Sequence, residues 1–325
     1  MKKIKWGIIG AGGIASKFVE SLKCLEDAEL WAVGSRDAAR AAGYAAKYGA
    51  KRSYGSYAEV ANDPDVEIIY VGTPHAFHFE DSRMCLEAGK AVLCEKPFTI
   101  NASQAQQLAD IARERKVFLM EAMWTRYLPA VAKLRELLGS GVIGEIRMIK
   151  ADFGFRTDLN PEGRLFNPEL GGGALLDVGI YPLSFAAMLL GTKPDKVTAS
   201  AHMGVTGVDE QCSFTLTYEG GKMAVLSAAV RTHIPNDAYV LGTDGYIKIS
   251  EFWHASSLEI CKEGKTEILK VPYLSNGYAH EAAEAMKCLR DGRPESEIMP
   301  LEDTISLMRI MDGIRAQWGL KYPGE

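Results

Sequence analysis

The stretch Ile4-Lys5-Trp6-Gly7-Ile8-Ile9-Gly10-Ala11-Gly12-Gly13-Ile14-Ala15 decides the fold of this 325-residue chain. Its first half is a mostly apolar run typical of a buried strand, and its second half fits the pattern G-x-G-x-x-A at the start of a helix. The first glycine permits a tight turn, the second lets the backbone approach a pyrophosphate, and the small last residue allows close helix–strand packing. The helix N-terminus attracts the anion. We therefore predict a dinucleotide-binding turn whose cofactor contacts are Gly10, Gly12, Gly13, Ile14 and Ala15.

The end of the second strand, Leu30–Val33, indicates which dinucleotide is bound. An NAD enzyme carries Asp or Glu there to bond the ribose 2′-hydroxyl, whereas this chain has Gly34-Ser35-Arg36. Ser35 can bond a 2′-phosphate, and Arg36 can pair with its charge or stack on the adenine. Alternatively, Arg36 is simply an exposed residue before the next helix. We predict NADP as the cofactor, with NAD still possible.

The alternation of strands and helices continues through the first part of the chain. The further strand signals are Val66–Val71, Ala91–Cys94 and Val117–Met120, with a helix signal at Ser103–Arg115 between the last two. Strands joined by helical crossovers imply a parallel, doubly wound sheet, and the rhythm indicates six strands, five of which are located by the signals named above. Ligands bind at the carboxyl ends of such strands. The residues predicted to contact the cofactor at those ends are Thr73, Pro74, His75, His78, Glu95, Lys96 and Pro97.

Three of these side chains have alternative interpretations. His75 is placed to touch the nicotinamide or the substrate. His78 can equally be a packing residue in the first turn of a helix. Lys96 follows a buried strand and is fixed by Pro97, but a lysine in a turn is often only a solvated surface charge.

After Met120 the rhythm changes to successive strands without helices between them. The predicted strands are Ile146–Phe155, Val197–Met203, Cys212–Tyr218, Met223–Arg231, Tyr239–Leu241, Tyr246–Ile249, Leu258–Cys261 and Thr266–Val271. We expect an α/β chain with an N-terminal Rossmann domain at 1–122 and a C-terminal α+β domain at 123–325, built on a large open, mostly antiparallel sheet. Met223–Val230 is apolar on both faces, so its second face meets another subunit or is covered within the monomer.

The segment Gly171–Pro182 carries the most informative polar residues of this second part. Its glycines make a turn into a helix that runs to Leu190, and Asp177 and Tyr181, four residues apart, share one face of it. A tyrosine with an ordinary pKa near 10 is a poor base, but a nearby ammonium such as Lys96 favours the phenolate. A unit-charge pair at about 4 Å contributes roughly 4 kcal/mol at an effective dielectric of 20. Asp177 could orient the lysine or substrate hydroxyls; the alternative is a helix cap beside a core tyrosine.

Together these motifs resemble the Gfo/Idh/MocA oxidoreductase family. The matching segments are Gly10–Ala15, Thr73–His78, Glu95–Pro97 and Gly171–Pro182. Glu121–Tyr127, Gly242–Gly245 and Phe252-Trp253 are most similar to the branch of dimeric dihydrodiol dehydrogenases and NADP-dependent D-xylose dehydrogenases. The resemblance implies a homodimer paired through the open sheet, Lys96 near the nicotinamide ribose, and a Lys96–Pro97 bond that could be cis.

Many members of that family carry D-x-x-x-H with a histidine acid/base, whereas this chain has Tyr181 at that position. The resemblance therefore implies a dehydrogenase or reductase that moves a hydride between NADP and a ring secondary alcohol or ketone of a pyranose sugar or trans-dihydrodiol. Its catalytic residues would be Tyr181, Lys96 and Asp177. The alternatives are a keto-sugar reductase of the anhydrofructose type and a non-catalytic NADP-binding sensor. Candidate pocket residues, each of which could equally be packing or interface residues, are Trp124, Arg126, Phe155 and Tyr278. Trp124 and Arg126 are also possible cofactor contacts.

Composition limits the other function classes. Hydrophobic residues make up 47% and charged residues 24%, and the net charge is -5 without a basic block, which argues against nucleic acid or an anionic membrane as partner. We find no apolar run close to the roughly 20 residues that span a bilayer. The six cysteines are scattered, so we expect reduced thiols in a cytoplasmic protein. No histidine/cysteine cluster has metal-ligand spacing.

Overall fold

A computed structural model of the chain describes residues 2–325. The chain divides into two compact units. The first contains the residues up to Trp124 together with Leu274–Ile305, and the second contains Thr125–Tyr273 together with Ser306–Glu325. The sequence predicted a single boundary after residue 122. In the structure, Leu274–Ile305 also belongs to the first unit.

The first unit is built on a parallel six-stranded sheet. Its strands are β1 (Ile4–Ile9), β2 (Ala28–Gly34), β3 (Arg52–Tyr54), β4 (Ile68–Val71), β5 (Ala91–Glu95) and β6 (Leu119–Ala122). They lie in the order β3-β2-β1-β4-β5-β6, which confirms the doubly wound Rossmann sheet. All residues of β4 and β5 are buried, because helices cover both faces of a parallel sheet.

The second unit is built on an eight-stranded sheet. Its strands are β7 (Ile146–Gly154), β8 (Lys196–Met203), β9 (Asp209–Tyr218), β10 (Lys222–Ala229), β11 (Ala238–Gly242), β12 (Gly245–Ile249), β13 (Ser257–Lys262) and β14 (Lys265–Lys270). The order is β14-β13-β12-β11-β7-β10-β9-β8. Within the described residues, β7 and β10 pair in parallel and the other neighbours pair antiparallel, so the predicted mostly antiparallel sheet is confirmed.

The helices belong to both units. They are α1 (Gly13–Leu22), α2 (Ala38–Tyr48), α3 (Tyr57–Asn62), α4 (His78–Glu87), α5 (Ala102–Arg115), α6 (Pro129–Gly139), α7 (Ile180–Leu190), α8 (Ala279–Asp291) and α9 (Leu301–Trp318). Side chains cap several N-termini in the first unit: Asp37 accepts from two amides of α2, and Asn101 accepts from Gln104 in α5. α8 contacts α1 and so completes one layer of the first unit.

A π-helical turn at Leu175–Gly179 precedes α7. The sequence predicted one uninterrupted helix here, with Asp177 and Tyr181 a regular turn apart. In the structure Asp177 lies in the π turn and Tyr181 in the α-helix, so their angular separation is not that of a regular α-helix. Both side chains are buried.

The segment Pro168–Leu190 is long and apolar enough to pass for a membrane span by length and composition. Glu169 and Asp177 interrupt it, so it is not a continuous apolar run, in agreement with the sequence prediction. In addition, 83% of its most apolar window is buried inside the protein, as is expected of a core helix.

One face of the eight-stranded sheet is covered and the other is open. In β10, Ala224, Leu226 and Ala228 are buried, whereas Val225 on the opposite face is 41% exposed. Val225 pairs with Thr215 of β9 on that outer face. The outer face is therefore not covered by the chain itself at this position.

Candidate active site

The glycine turn between β1 and α1 has the form that a diphosphate requires. Gly10 has φ +85°, and a Cβ there would lie 2.7 Å from the Gly72 carbonyl, so only glycine fits. α1 begins without a side-chain cap and without an acidic residue in its first turn. A Cβ on Gly13 would meet no atom within 4 Å. An open cradle in front of uncapped amides fits an anionic diphosphate.

Two guanidinium groups follow the end of β2, one from the loop and one from the first turn of α2. Arg36 is exposed, with its guanidinium 5.7 Å from the ring centre of Phe77. Arg40, which the sequence analysis did not name, donates hydrogen bonds of 3.1 Å and 2.8 Å to the carbonyl of Ala11 in the glycine turn. The Ser35 hydroxyl accepts from the amide of Asp37 and keeps a proton to donate. These groups could hold a phosphorylated ribose.

The loop after β4 brings a hydroxyl and two imidazoles to the same edge of the sheet. Thr73 is buried at this edge, with its hydroxyl beside the carboxyl group of Asp81. His75 is buried beside His78, with 5.8 Å between the ring centres.

His78 links this loop to the turn after β5. Its two ring nitrogens lie 2.8 Å from the carbonyl oxygens of Thr73 and Pro97. Complete burial lowers the pKa of His78, and a neutral imidazole can donate to only one of these carbonyls. Because both nitrogens face protein atoms, the packing interpretation of His78 has a direct structural basis.

Buried carboxyl groups fix the turn that carries Lys96. The Lys96–Pro97 bond is cis, as the resemblance allowed. Glu95 accepts from the amide of Lys96 at 3.1 Å, and Glu121 accepts from the amide of Phe98 at 3.2 Å. The ammonium of Lys96 thus extends from a turn whose backbone is held on both sides.

Glu281, in the first turn of α8, is a further buried acid near this turn. It is 0% exposed, and neither of its oxygens has a hydrogen-bond partner within the described part of the chain. Burial, and then the neighbouring Glu95, raise the pKa of Glu281 well above its usual range, which favours the neutral acid. No motif points to Glu281, and the sequence assigned its segment to the second domain.

Trp124 and Tyr278 stack on each other within the first unit. Their ring centres are 4.6 Å apart and their planes are inclined by 25°. They are 1% and 5% exposed. The pair therefore has a packing role in its own unit, whatever else it contacts.

The second unit carries the predicted acid/base. Tyr181 is 6% exposed and forms an edge-to-face contact with Phe153 at a centroid distance of 5.0 Å. Asp177 is buried and accepts a hydrogen bond of 2.8 Å from Arg164, whose side chain is 54% exposed. Arg164 could not be found from the sequence, because it lies in an irregular segment without a motif.

Two of the predicted pocket residues also lie in this unit. The buried guanidinium of Arg126 donates to the hydroxyl of Ser184 at 2.9 Å and to its carbonyl at 3.3 Å, which ties Arg126 to α7. Phe155 is half-buried just beyond β7, where its amide donates to the carbonyl of Ala229 at 3.0 Å.

Comparison with known proteins identifies the family. Residues 4–123 match the family model described as "Oxidoreductase family, NAD-binding Rossmann fold", and residues 131–248 match the "GFO/IDH/MocA C-terminal domain". Trans-1,2-dihydrobenzene-1,2-diol dehydrogenase of Xenopus tropicalis is 40% identical, with 98% of this chain and 99% of that protein covered. The protein of that name from Homo sapiens is 37% identical, with 99% of each covered.

Solved structures agree with this assignment. KijD10, a 3-ketoreductase from Actinomadura kijaniata crystallised with NADP and TDP-benzene, is similar with a TM-score of 0.87 and 28% identity, covering 97% of this chain and 98% of that one. It has also been crystallised as mutants in which a lysine or a tyrosine is replaced. The aldose-aldose oxidoreductase of Caulobacter crescentus shares the fold, with a TM-score of 0.89 and 24% identity over 98% of this chain and 99% of that one. The chain belongs to the Gfo/Idh/MocA family of NAD(P)-dependent oxidoreductases.

Proposed function

We propose that this protein is an NADP-dependent dehydrogenase or reductase that acts on a ring secondary alcohol or ketone of a trans-dihydrodiol or a pyranose sugar, with Tyr181 as its acid/base. The observation that carries the proposal is the buried phenol of Tyr181, which follows the ion-paired Asp177 in an otherwise apolar helical segment. The dihydrodiol dehydrogenases, 37–40% identical over nearly the whole chain, support the substrate class.

The chemistry assigns one task to each residue. Bound nicotinamide supplies the hydride acceptor in oxidation and the hydride donor in reduction. Tyr181 takes the hydroxyl proton of the substrate in oxidation and returns it in reduction. Lys96 favours the phenolate of Tyr181 through its positive charge, and Asp177 orients the polar groups around the substrate. That Lys96 assists Tyr181 stays a prediction. The KijD10 mutants, which replace the same two residue types, make it worth testing.

NADP is the cofactor that the end of β2 favours. Ser35, Arg36 and Arg40 supply a hydroxyl and two guanidinium groups, the kinds of donor and charge that bind a 2′-phosphate. KijD10, whose structures contain NADP, supports the same choice.

A keto-sugar reductase is the second candidate. KijD10 is a 3-ketoreductase, and the proton and hydride steps of ketone reduction are those of alcohol oxidation in reverse. The two candidates differ in substrate and direction, and they use the same residues.

The test is turnover of the purified full-length protein with NADP or NAD and a panel of trans-dihydrodiols, pyranose sugars and keto-sugars. Tyr181→Phe should lower kcat roughly 10²- to 10⁴-fold, the usual contribution of a positioned acid/base, without weakening NADPH binding. Tyr218→Phe is the matched control, because it removes another buried tyrosine hydroxyl from the same unit. Near-native turnover by Tyr181→Phe would overturn the acid/base role. NADPH binding without turnover on the whole panel would favour the sensor.

We also propose a homodimer joined through the outer face of the eight-stranded sheet. Met223 and Val225 lie on this face beside Thr215 and Thr217, and Val225 is 41% exposed. An open apolar sheet face commonly marks an interface. Light scattering should give twice the chain mass for the wild type and a monomer for Val225→Glu; a monomeric wild type would refute the proposal. The five buried free thiols among six cysteines support a cytoplasmic location.

A further inference from the structure

Two buried side chains form hydrogen bonds to the backbone of the turn that leads into the segment with Asp177 and Tyr181. The hydroxyl of Tyr322 donates to the carbonyl of Gly172. The carboxyl of Asp209 accepts from the amide of Leu175 at 2.7 Å. Tyr322 is 3% and Asp209 is 0% exposed. Both bonds end on the backbone within ten residues of Tyr181, so they bear on where that side chain lies.

The glycine between these two bonds, Gly173, packs closely against both side chains. Gly173 has φ +118°, and a Cβ there would lie 2.3 Å from Asp209 and 3.2 Å from the Tyr322 hydroxyl. The close contact is possible only because residue 173 has no side chain. The turn, Asp209 and Tyr322 therefore form one tightly packed group.

Tyr322 is itself fixed by an ion pair. Arg315 of α9 donates to both carboxylate oxygens of Glu325, at 2.6 Å and 2.9 Å, and its guanidinium lies 5.0 Å from the centre of the Tyr322 ring. The amide of Tyr322 donates to Glu325 at 2.8 Å. We call Arg315, Tyr322 and Glu325 the C-terminal clamp. A bidentate, largely buried pair holds a side chain better than an exposed pair does.

We propose that the C-terminal clamp is a positioning device for the reaction: Tyr322 sets the place of the helical segment that carries Asp177 and Tyr181. This inference rests on the proposed function of Tyr181. Tyr322 acts on this segment through its hydrogen bond to the backbone carbonyl of Gly172. Its effect on catalysis passes through the geometry of the acid/base, where displacements near 1 Å can cost about 100-fold in rate.

The test compares Tyr322→Phe with Tyr218→Phe. Tyr218 of β9 has a buried hydroxyl without a hydrogen-bond partner in the described chain, so its loss should change nothing. Tyr322→Phe keeps the ring and loses only the bond to Gly172. We expect kcat to fall roughly 10-fold, substrate KM to change much less, and the pH profile of kcat to shift, because a displaced acid/base affects the transition state above all. NADPH affinity should stay the same.

Hydrogen exchange gives a second, independent measurement. The amides of residues 174–181 should exchange faster in Tyr322→Phe and at the wild-type rate in Tyr218→Phe. If Tyr322→Phe does not fold, Glu325→Gln weakens the clamp while keeping the hydroxyl, and it should show the same split between kcat and KM in a milder form. A Tyr322→Phe protein with wild-type kcat, pH profile and exchange would overturn the inference. Even with a wild-type-like Tyr322→Phe protein, loss of activity in Tyr181→Phe would still support the proposed function, so the two proposals can fail separately.

Discussion

Tyr70 donates a hydrogen bond of 2.5 Å to the carboxyl group of Glu95, the residue before Lys96. Tyr70 is in β4 and Glu95 ends the adjacent β5, and both side chains are buried. The phenol thus anchors the turn from the neighbouring strand. Each donor to a carboxyl group this deep in the protein matters, because hydrogen bonds offset the cost of removing the group from water.

Tyr70→Phe should therefore destabilise the protein by about 1–3 kcal/mol, the cost of leaving a buried acceptor without its donor. The stacking of residue 70 on Phe18, at 4.0 Å between ring centres, is kept in this variant. Urea unfolding measures the change, with Tyr218→Phe as the control. Equal stability of Tyr70→Phe and wild type would mean that Glu95 does not depend on this bond.

Arg36→Ala should weaken NADPH binding roughly 10- to 150-fold, as expected for the loss of hydrogen bonds to a charged group, and should leave NADH binding almost unchanged. Fluorescence titration with both cofactors measures this. Arg113→Ala is the matched control, since Arg113 is an exposed arginine that pairs with Asp110 on α5. Equal losses for NADPH and NADH would contradict the assignment of Arg36 to the 2′-phosphate.

Arg164→Gln should lower kcat roughly 2- to 10-fold with little effect on the melting temperature. Asp177 is buried and loses a partner, but the Arg164 side chain is 54% exposed, so the pair contributes little to stability. Arg164→Lys should recover part of the loss by restoring the charge. Arg156→Gln, which breaks an exposed pair with Asp158, is the control. Unchanged kinetics in Arg164→Gln would show that Asp177 is oriented by other groups.

Asp209→Asn should change how stability depends on pH. Burial raises the pKa of Asp209 to about 7, while the amide of Leu175 and the charge of Arg315 act against this rise. The folded state holds this proton more tightly than the unfolded state. The protonated group therefore contributes to the free energy of unfolding in full below about pH 4, and this contribution is lost as the pH rises toward 7. The loss in the free energy of unfolding is at most roughly 4 kcal/mol.

Urea unfolding between pH 4 and pH 8 should show that loss in the wild type and not in Asp209→Asn, whose amide oxygen can still accept from Leu175. Asp158→Asn changes a carboxylate that is 96% exposed and serves as the control. Parallel curves for wild type and Asp209→Asn would refute the raised pKa.

The features that the sequence predicted well are local. A buried parallel strand requires a continuous apolar run, and a diphosphate turn requires glycine at position 10. Both features can therefore be recognised in the local sequence. The edge strand β3 left no such record. Its residues Arg52 and Tyr54 bond to Asp63 at 2.8 Å and 3.0 Å, and a short, polar edge has no apolar period to detect.

The features that the sequence could not predict depend on distant contacts. Arg164 reaches Asp177 from an irregular segment, and Tyr322 reaches Gly172 across 150 residues. The π turn before α7 changes backbone hydrogen bonds from i+4 to i+5, and no residue spacing distinguishes these two patterns in an apolar segment. The amphipathic pattern of α8 shows that one face is buried, but not which unit buries it.

The return of Leu274–Ile305 to the first unit has a consequence for synthesis on the ribosome. α8 contacts α1, and the amide of Leu119 in β6 donates to the carbonyl of Pro294, so the Rossmann unit lacks a layer until these late residues have been made. The nucleotide-binding half is the first to be translated, yet it is completed only after the whole eight-stranded sheet has emerged. A nascent chain stalled at residue 122 would still expose the surface that α8 covers, and transiently exposed surface of this kind favours aggregation.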